Sequence, residues 1–464
     1  MLSVTLKHQP GLDAAFLPAS AWNRAYRQLV EESGRGEEIV LSVERSDGSR
    51  SCFRTRILPH VGEAVALNQT YVERLVKFLL WQKGGYRLNV AGSDALAAYL
   101  RDVYSPTGAR AFDHEFMGTT VYGHAFEVTS TSLADAPEEA ETTVALGRHL
   151  DGCRIGFDLG GSDRKCAAVI DGKVVFSEEI TWDPYFEKDP QYHFDGVMDT
   201  LKRAAEKLPR VDAIGGSSAG VYVNNEVRVA SLFRGVSRED FDKRVRRMFF
   251  DLKAAWGNIP FEVANDGEVT ALAGSMSLND SAVLGISMGT SQAGGYVTPQ
   301  GAITNWLNEL AFVPVDYAPT AHVDEWSKDG GVGAQYFSQQ AVGRLLGPAG
   351  IAAPEGMGLP EKLVMVQELM AKGDARARSI YETIGVYFGY AIAHYADFYE
   401  SRHLLMLGRV LSGEGGNLIL EVGQQVLRDE FPEIAERTQV HTPGEAEKRH
   451  GQAVAAASLP EIPK

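Results

Sequence analysis

The pattern of apolar and polar residues divides the first third of the chain into short, clear elements. Apolar and polar residues alternate along residues 37–58, and an Asp-Gly pair interrupts the alternation, so we predict a β-hairpin there. Residues 68–85 carry apolar residues at helical spacing and end in two glycines, which predicts a helix. A strand follows, and then a helix with Ser93 as its N-cap. Residues 1–148 are therefore predicted to form a separate α/β unit.

The rest of the chain alternates strands with long helices. The acidic segment 131–153 has few large apolar residues and is predicted to be a linker. Residues 155–179 then predict a second hairpin with a large polar tip, and residues 281–303 repeat that design with a Gly/Ser/Thr tip. Two such hairpins, each followed by helices, predict two lobes with a cleft between them. We place the lobes at residues 149–275 and 276–464.

The tip of the hairpin at residues 155–179 has the composition of a phosphate-binding loop. Gly160 and Gly161 lack a Cβ, so backbone amides there can approach a ligand closely, with Ser162 and Lys165 beside them. Asp158 precedes the tip and is near enough to hold a hydrated Mg²⁺. A plain Gly-Gly turn explains the same residues equally well, so the hairpin alone does not show whether the tip binds phosphate.

Composition limits the classes of function. The chain has 464 residues, 44% of them hydrophobic, and a formal net charge of -16, which argues against a nucleic-acid-binding surface. Its three cysteines are widely spaced, so they predict neither a zinc site nor a disulfide framework, and a reducing cytoplasm fits best. The most apolar helical stretch, residues 384–399, contains His and Asp, and no export signal or membrane span is predicted.

Seven short motifs carry a family resemblance. They are DLGGSDRK, GGSSAGVYVNNEV, VANDGEVTALAG, GISMGTSQAGG, NELAFVPV, GGVGAQYFSQQAV and GRVLSGEGGN, in this order along the chain. Residues 153 to 460 thereby resemble the ROK family (repressor, open reading frame, kinase) of the actin/hexokinase/Hsp70 superfamily. The resemblance implies an α/β, two-lobed, actin-like (ribonuclease H-like) ATPase fold, here with an extra N-terminal α/β domain.

The resemblance also implies an activity and a set of site residues. It implies a kinase that transfers the γ-phosphoryl group of ATP to a sugar hydroxyl, with Asp266 as the general base and Mg²⁺ as a cofactor. The residues that would contact the sugar are Asn265, Glu309 and Gly220, and the metal would be held by Asp158. The phosphates would be bound by Gly160, Gly161, Ser162, Lys165, Gly289, Thr290 and Ser291. The adenosine would be bound by Gly413, Gly415, Gly416 and Asn417. A small-molecule sugar is the expected partner, a homodimer is left open, and neither nucleic acid nor a membrane is expected.

The chain departs from the family pattern at the sugar loop. Phe312 stands where the family has a His, and Val332 and Ala334 stand where it has a Cys and a second substrate Glu. Zinc is therefore not expected, and hexose specificity is in doubt. Gln335 or His322 could take over the missing contacts. The N-terminal unit has no counterpart in simple sugar kinases, and its role stays open.

Other interpretations of these residues are weighed as well. Asp266 could be only a helix N-cap, Asp158 could only close a turn, and Glu309 could lie exposed at a helix end. The chain could be a sugar-sensing transcriptional regulator of the same family, although its N-terminal unit mixes strands with helices and the charge is acidic. It could also be a non-catalytic sugar- or nucleotide-binding protein.

Overall fold

The computed structural model describes residues 2–141, 146–442 and 445–463, so part of the predicted linker 131–153 lies outside the described residues. The helices are α1 (Ala19–Ser33), α2 (Ala64–Lys83), α3 (Asp94–Val103), α4 (Ala111–Glu115), α5 (Pro190–Ala205), α6 (Arg238–Asp240), α7 (Met248–Ala255), α8 (Asp266–Leu278), α9 (Gln339–Leu345), α10 (Leu359–Ala371), α11 (Ala375–Tyr395), α12 (Gly413–Glu430), α13 (Pro432–Arg437) and α14 (Glu445–Ala457). The strands are β1 (Glu37–Glu44), β2 (Arg50–Ile57), β3 (Arg87–Ala91), β4 (Glu127–Thr131), β5 (Cys153–Leu159), β6 (Asp163–Ile170), β7 (Lys173–Thr181), β8 (Ala213–Ser218), β9 (Val221–Val223), β10 (Glu226–Val229), β11 (Phe261–Asn265), β12 (Val283–Met288), β13 (Gln292–Val297), β14 (His403–Leu407) and β15 (Gln439–His441).

The N-terminal unit contains its own four-stranded sheet, in the order β2-β1-β3-β4. β1 and β2 form the predicted hairpin, with Leu41 opposite Phe53, and β3 pairs with β4 in parallel. The predicted N-cap of α3 is confirmed, because the Ser93 hydroxyl accepts a hydrogen bond from the Leu96 amide at 3.3 Å. The hairpin and the helix N-cap that the sequence predicts for this unit are therefore both present in the structure.

The first lobe is built on a five-stranded sheet in the order β11-β8-β5-β6-β7. β5, β6 and β7 run antiparallel, β8 pairs with β5 in parallel, and β11 pairs with β8 in parallel, each after a helical crossover. The C-terminal helix α14 packs on this sheet, against two of its glycines. A Cβ on Gly156 or Gly215 would overlap the carbonyl oxygen of Ala453 or Ala456. The end of the chain thus returns to the first lobe.

The second lobe repeats the plan with one strand fewer, in the order β13-β12-β14-β15. β12 and β13 form the second predicted hairpin, with Gly285 opposite Gly295, and β14 and β15 continue the sheet in parallel. Helix α8 connects the lobes, because it begins where β11 of the first lobe ends and packs on β12 and β13 of the second. None of the helices in the described ranges is long and apolar enough to cross a membrane.

The N-terminal unit and the second lobe share one hydrophobic core. Trp81 of α2 lies 4.4 Å from the ring of Phe312 in the second lobe, and Phe78 stacks on Phe398 at 3.6 Å. Burial of aromatic surface of this kind is a main source of stability. The unit predicted as separate in sequence is therefore packed onto the second lobe.

A network of buried charges crosses the same interface. None of its members exposes more than 15% of its side chain, and its three basic residues balance its three acidic residues. We call it the buried charge network, and its members are Glu73, Arg74, Lys77, Arg110, Asp113 and Asp329. All but Asp329 belong to the N-terminal unit.

The contacts of the network centre on two carboxylates. The Lys77 ammonium lies 2.7 Å from Asp113 and 3.4 Å from Asp329, and Asp329 is also 2.7 Å from the Arg110 guanidinium and 3.3 Å from that of Arg74. The Trp81 indole N–H donates a further hydrogen bond to Asp113 at 2.6 Å. Charges this far from water are tolerated only when each has partners, so the network fixes the relative position of α2 and the loop that contains Asp329.

Candidate active site

A cleft of about 470 Å³ lies between the lobes, next to the ends of the first lobe's parallel strands. β5 carries Asp158 near its end, and β11 ends at Asn265. Because the carboxyl ends of parallel strands meet at one sheet edge, these polar residues come together there. The cleft is lined from the other side by residues of the β12–β13 hairpin and of the segment that follows it.

Asn265 and Asp266 lie at the junction of β11 and α8, and the structure separates their roles. The Asn265 side chain caps the helix, since its Oδ1 accepts a hydrogen bond from the Gly267 amide at 2.8 Å. Its Nδ2 donates to the carbonyl of Gly220 at 2.6 Å. The helix N-cap is therefore Asn265, and the interpretation of Asp266 as the cap is wrong. Asp266 is the first residue of α8 and lines the cleft.

Burial raises the pKa values of four carboxyl groups in and near the cleft, and a neighbouring carboxylate adds to each rise. Burial, followed by the charge of Asp158, raises the pKa of Asp266 to about 6. Burial, followed by the charge of Asp266, raises the pKa of Glu309 to about 7. Burial raises the pKa of Glu268 to about 8, although a hydrogen bond from the Asn308 amide opposes the shift. The site therefore contains carboxyl groups that titrate near neutral pH.

Asp158 is buried at the end of β5, and its surroundings fit a hydrated magnesium ion. The Ser217 hydroxyl donates a hydrogen bond to its Oδ1 at 2.7 Å, and burial raises its pKa while Lys165 lowers it. Mg²⁺ prefers oxygen ligands and is typically held by one or two carboxylates together with waters and phosphates. A cation here would offset the repulsion between Asp158 and Asp266. Within the described residues, no group of three or more His, Cys, Asp or Glu side chains is arranged to hold a metal by itself.

The first hairpin tip is shaped by hydrogen bonds within the tip. The Gly160 amide donates to the carbonyl of Asp163 at 2.9 Å, and the Ser162 hydroxyl donates to the Asp163 carboxylate at 2.9 Å. Lys165 pairs with the same carboxylate at 3.4 Å. Gly161 is required by packing, because a Cβ there would overlap the Tyr185 hydroxyl. The tip adjoins Asp158 without lining the 470 Å³ cleft.

The second hairpin tip reaches the cleft directly. Thr290 and Ser291 are exposed and line it, and the Gly289 amide donates to the carbonyl of Ser291 at 3.0 Å. A Cβ on Gly289 would meet nothing closer than 3.6 Å, so the space beside this glycine is open. This is the space that a phosphate group would need.

The Gly-rich first turn of α12 borders a second cavity, of about 360 Å³. Gly413 and Gly415 line it together with Tyr381. Gly416 has a packing role, since a Cβ there would overlap the Leu411 carbonyl, and neither Gly416 nor the exposed Asn417 lines the cavity. The structure thus places two of the four predicted adenosine residues in the cavity wall.

Glu309 is positioned by the N-terminal unit, which sequence patterns did not indicate. Its amide donates to the carbonyl of Trp81 at 2.9 Å, and the Asn308 amide donates to that of Gln82 at 3.0 Å. Both carbonyls lie at the C-terminal end of α2, where helix carbonyls lack intrahelical partners. The last turn of α2 therefore holds the segment that places the Glu309 carboxylate in the cleft.

The substitutes proposed for the missing sugar contacts do not face the cleft. Gln335 is buried, donates a hydrogen bond to Asp324 at 3.3 Å and also bonds to Gln340, while His322 is exposed outside the cleft lining. Phe312 and Ala334, the two departures from the family pattern, do line it.

Sequence reasoning missed four further residues in or beside the cleft: Glu268, Gln292, Asp324 and Trp326. Glu268 is two positions after Asp266 and could have been found by its place on α8. Gln292 lies within the motif GISMGTSQAGG, whereas Asp324 and Trp326 lie between two motifs, and only the folded chain brings these two to the cleft.

Comparison with known proteins identifies the fold. No protein-family model and no curated protein matches the chain. Among solved structures, a ROK hexokinase from Thermus thermophilus matches with 16% identity and a TM-score of 0.52, over 66% of this chain and 96% of the hexokinase. A ROK family transcriptional regulator, a homolog of the E. coli MLC protein, matches with 17% identity and a TM-score of 0.50, over 67% of this chain and 79% of the regulator.

These matches confirm the predicted fold class. The chain has the two-lobed, actin-like fold of ROK proteins, and about a third of it, beyond the aligned share, is additional. The resemblance drawn from the seven motifs thus holds at the level of the fold.

Proposed function

We propose that this protein is an ATP-dependent sugar kinase of the ROK family, with Asp266 as the general base. The observation that carries the proposal is the Asp266 carboxyl group in the cleft between two actin-like lobes, with a pKa raised to about 6. A general base works best when its pKa lies near the working pH, because it is then ionised and still basic. The order of the motifs along the chain supports the same conclusion.

The residues around Asp266 suit a neutral sugar as the phosphoryl acceptor. The described lining of the cleft contains the carboxyl groups of Asp266, Glu309 and Asp324 and no Lys, Arg or His. Such a lining repels sugar phosphates and sugar acids and accepts hydrogen bonds from hydroxyl groups. Glu309 and Asn265 would orient the sugar so that one hydroxyl meets the Asp266 carboxylate, which takes its proton as the phosphoryl group is transferred.

The remaining residues would bind the nucleotide. The two hairpin tips, around Gly160 and Gly289, would hold the phosphates, and the cavity beside Gly413 and Gly415 would take the adenosine. Asp158 would hold Mg²⁺, which neutralises charge on the transferring phosphoryl group when it is bound with ATP. In this proposal residues 149–275 and 276–464 form the two lobes that close on substrate, and residues 1–148 form an accessory unit.

A sugar-sensing protein without phosphoryl transfer is the second candidate, because a transcriptional regulator shares the fold. A sensor needs a sugar site but no base. The two candidates therefore differ in what they require of Asp266.

The first experiment is ADP release from MgATP by the purified protein with hexoses, amino sugars, ketoses and sugar phosphates. We expect release with a neutral or amino sugar and none with sugar phosphates. ATP and sugar binding without any ADP release would favour the sensor. Release that depends on a sugar phosphate would contradict the acidic-cleft argument.

The pH profile should follow the carboxyl groups of the cleft. Because Asp266 must be ionised to act as a base, we expect kcat/KM to fall as the pH drops below about 6. The Glu309→Gln variant should lose any additional change in kcat/KM near pH 7 and keep the fall in kcat/KM near pH 6. Rates measured from pH 5 to pH 8 test this. A profile that stays flat across pH 6 would argue against Asp266 as the base.

The glycine of the second hairpin tip should be essential for nucleotide binding and not for folding. In Gly289→Val the new side chain meets no atom closer than 3.6 Å at its Cβ, so the fold should persist while the phosphate space is filled. We expect MgATP affinity, measured by calorimetry, to fall roughly tenfold or more through lost hydrogen bonds to charged groups.

Gly160→Val should weaken MgATP binding as well. Its new Cβ would have less space than that of Gly289→Val, because it would lie 3.1 Å from the Asp163 carbonyl oxygen. Gly347→Val is the matched control, because Gly347 has open space around it and lines neither the cleft nor the cavity beside Gly413. Normal MgATP affinity in the Gly160 and Gly289 variants would contradict the assignment of the tips.

A further inference from the structure

One large apolar side chain stands exposed at the cleft. Trp326 lines the cleft and exposes 60% of its surface, which makes it one of the most exposed large hydrophobic residues in the described chain. Exposure of a tryptophan costs free energy that burial would recover, so an exposed tryptophan in a cleft is typical of a ligand-contact surface.

The loop that carries Trp326 is held by hydrogen bonds within it. The Asp324 carboxylate accepts hydrogen bonds from the amides of Trp326 at 3.1 Å and Ser327 at 2.7 Å, and from the Ser327 hydroxyl at 2.9 Å. A backbone bridge between Val323 and Gly330 closes the loop at its base. The tryptophan is thus presented by a compact loop whose backbone is held from within.

The N-terminal unit supports this loop from behind. The Trp326 ring lies 5.7 Å from that of Phe312 and 5.9 Å from that of Phe112, which belongs to the N-terminal unit. In the same loop, Asp329 is anchored in the buried charge network of that unit. Aromatic contacts and ion pairs therefore both fix the ring position before any ligand binds.

We propose that Trp326 is a substrate-contact residue that stacks on the apolar C–H face of the sugar ring, and that the N-terminal unit holds it in place. The inference rests on the proposed sugar site. A sugar ring has hydroxyl groups at its edge and C–H groups on its faces, so it needs both acceptors and an apolar surface. Asp266 and Glu309 supply the acceptors, and Trp326 supplies an exposed apolar ring. Phe312 and Ala334, which also line the cleft, offer no side-chain hydrogen bonds.

The test compares Trp326→Ala and Trp326→Phe with the parent protein. We expect KM for the best sugar of the panel to rise roughly tenfold in Trp326→Ala, with KM for ATP within about twofold of the parent value. Trp326→Phe should recover most of the affinity, because it keeps a flat apolar ring. Phe186→Ala is the matched control, since Phe186 is 74% exposed on the first lobe and does not line the cleft. Equal sugar KM values in all four proteins would overturn the proposal.

A binding measurement separates this inference from the proposed activity. Titration of the parent protein with D-glucose, D-mannose and N-acetyl-D-glucosamine should change its tryptophan fluorescence, and the change should be lost in Trp326→Phe. If the parent binds one of these sugars without releasing ADP and Trp326→Ala binds it more weakly, the stacking role stands and the kinase proposal fails. If the parent phosphorylates a sugar and both Trp326 variants bind it normally, the stacking role fails alone. If no sugar binds, both fail.

The part played by the N-terminal unit is measured by a double-mutant cycle. Phe112→Leu should raise the sugar KM when Trp326 is present, because the ring loses its support. In the Trp326→Ala background the same substitution should add little, since nothing is left to position. Additive effects of the two substitutions would contradict the claim that Phe112 acts through Trp326.

Discussion

Replacement of Asp266 by asparagine is expected to lower kcat by about 10²–10⁴-fold while the affinity for MgATP stays close to that of the parent. The amide has the shape of the carboxylate but cannot take a proton from the sugar hydroxyl. Initial rates of ADP release with the best sugar of the panel, together with calorimetric MgATP titrations, measure the two quantities. A rate within a few-fold of the parent would remove Asp266 from the role of base.

The same variant should be more stable than the parent at alkaline pH. The pKa of Asp266 is higher in the folded protein, at about 6, than its ordinary value of 3.8, so the folded state pays a penalty to ionise it. That penalty is absent below pH 3.8 and fully present above about pH 6. The gain in unfolding midpoint from Asp266→Asn should therefore be larger at pH 8 than at pH 5. Asp195→Asn, at an exposed position of α5, is the control and should change neither rate nor stability.

Replacement of Lys77 by methionine is expected to destabilise the protein by about 3–5 kcal/mol. Lys77 is fully buried, and its ammonium pairs with Asp113 and Asp329. Methionine fills a similar volume, so the loss comes mainly from two carboxylates that remain in the interior with one cation fewer. Urea unfolding at pH 7 measures the change. A loss below about 1 kcal/mol would mean that the network does not hold the N-terminal unit to the second lobe.

The pH dependence of this variant has a definite sign. Burial already raises the pKa of Asp113, and Lys77 opposes that rise. Without Lys77 the carboxyl group should hold its proton more tightly in the folded state than in the unfolded state. The destabilisation should therefore shrink as the pH falls from 8 to 5. Lys243→Met, which breaks an exposed pair with Glu239, should cost less than about 1 kcal/mol at either pH.

The sequence predicted much of the fold and part of the site because its signals were local. The Asp-Gly turn, the Ser93 cap and the two Gly-rich hairpins each depend on residues a few positions apart. The pair Asn265-Asp266 was found as a motif, but only the hydrogen bonds of Asn265 show which of the two caps α8. Similarly, Gly161 and Gly416 were read as ligand-facing, and their neighbours show that packing alone requires a glycine there.

The features that the sequence did not indicate all depend on contacts between distant segments. Glu309 is held by the end of α2, more than two hundred residues earlier, and Asp329 is neutralised by cations from the N-terminal unit. No periodicity or spacing records such pairings, because they arise from the packing of one unit on another.

By itself, then, the sequence determined the elements, their order and the acidic residue at the start of α8, since these follow from hydrophobic period, turn chemistry and motif order. Only the tertiary structure decided that the N-terminal unit packs behind the wall of the cleft, that burial and a neighbouring carboxylate raise the pKa of Asp266, and that Trp326 lines the cleft. Burial and electrostatic coupling are properties of neighbours in space, and the chain brings these neighbours together only when it folds.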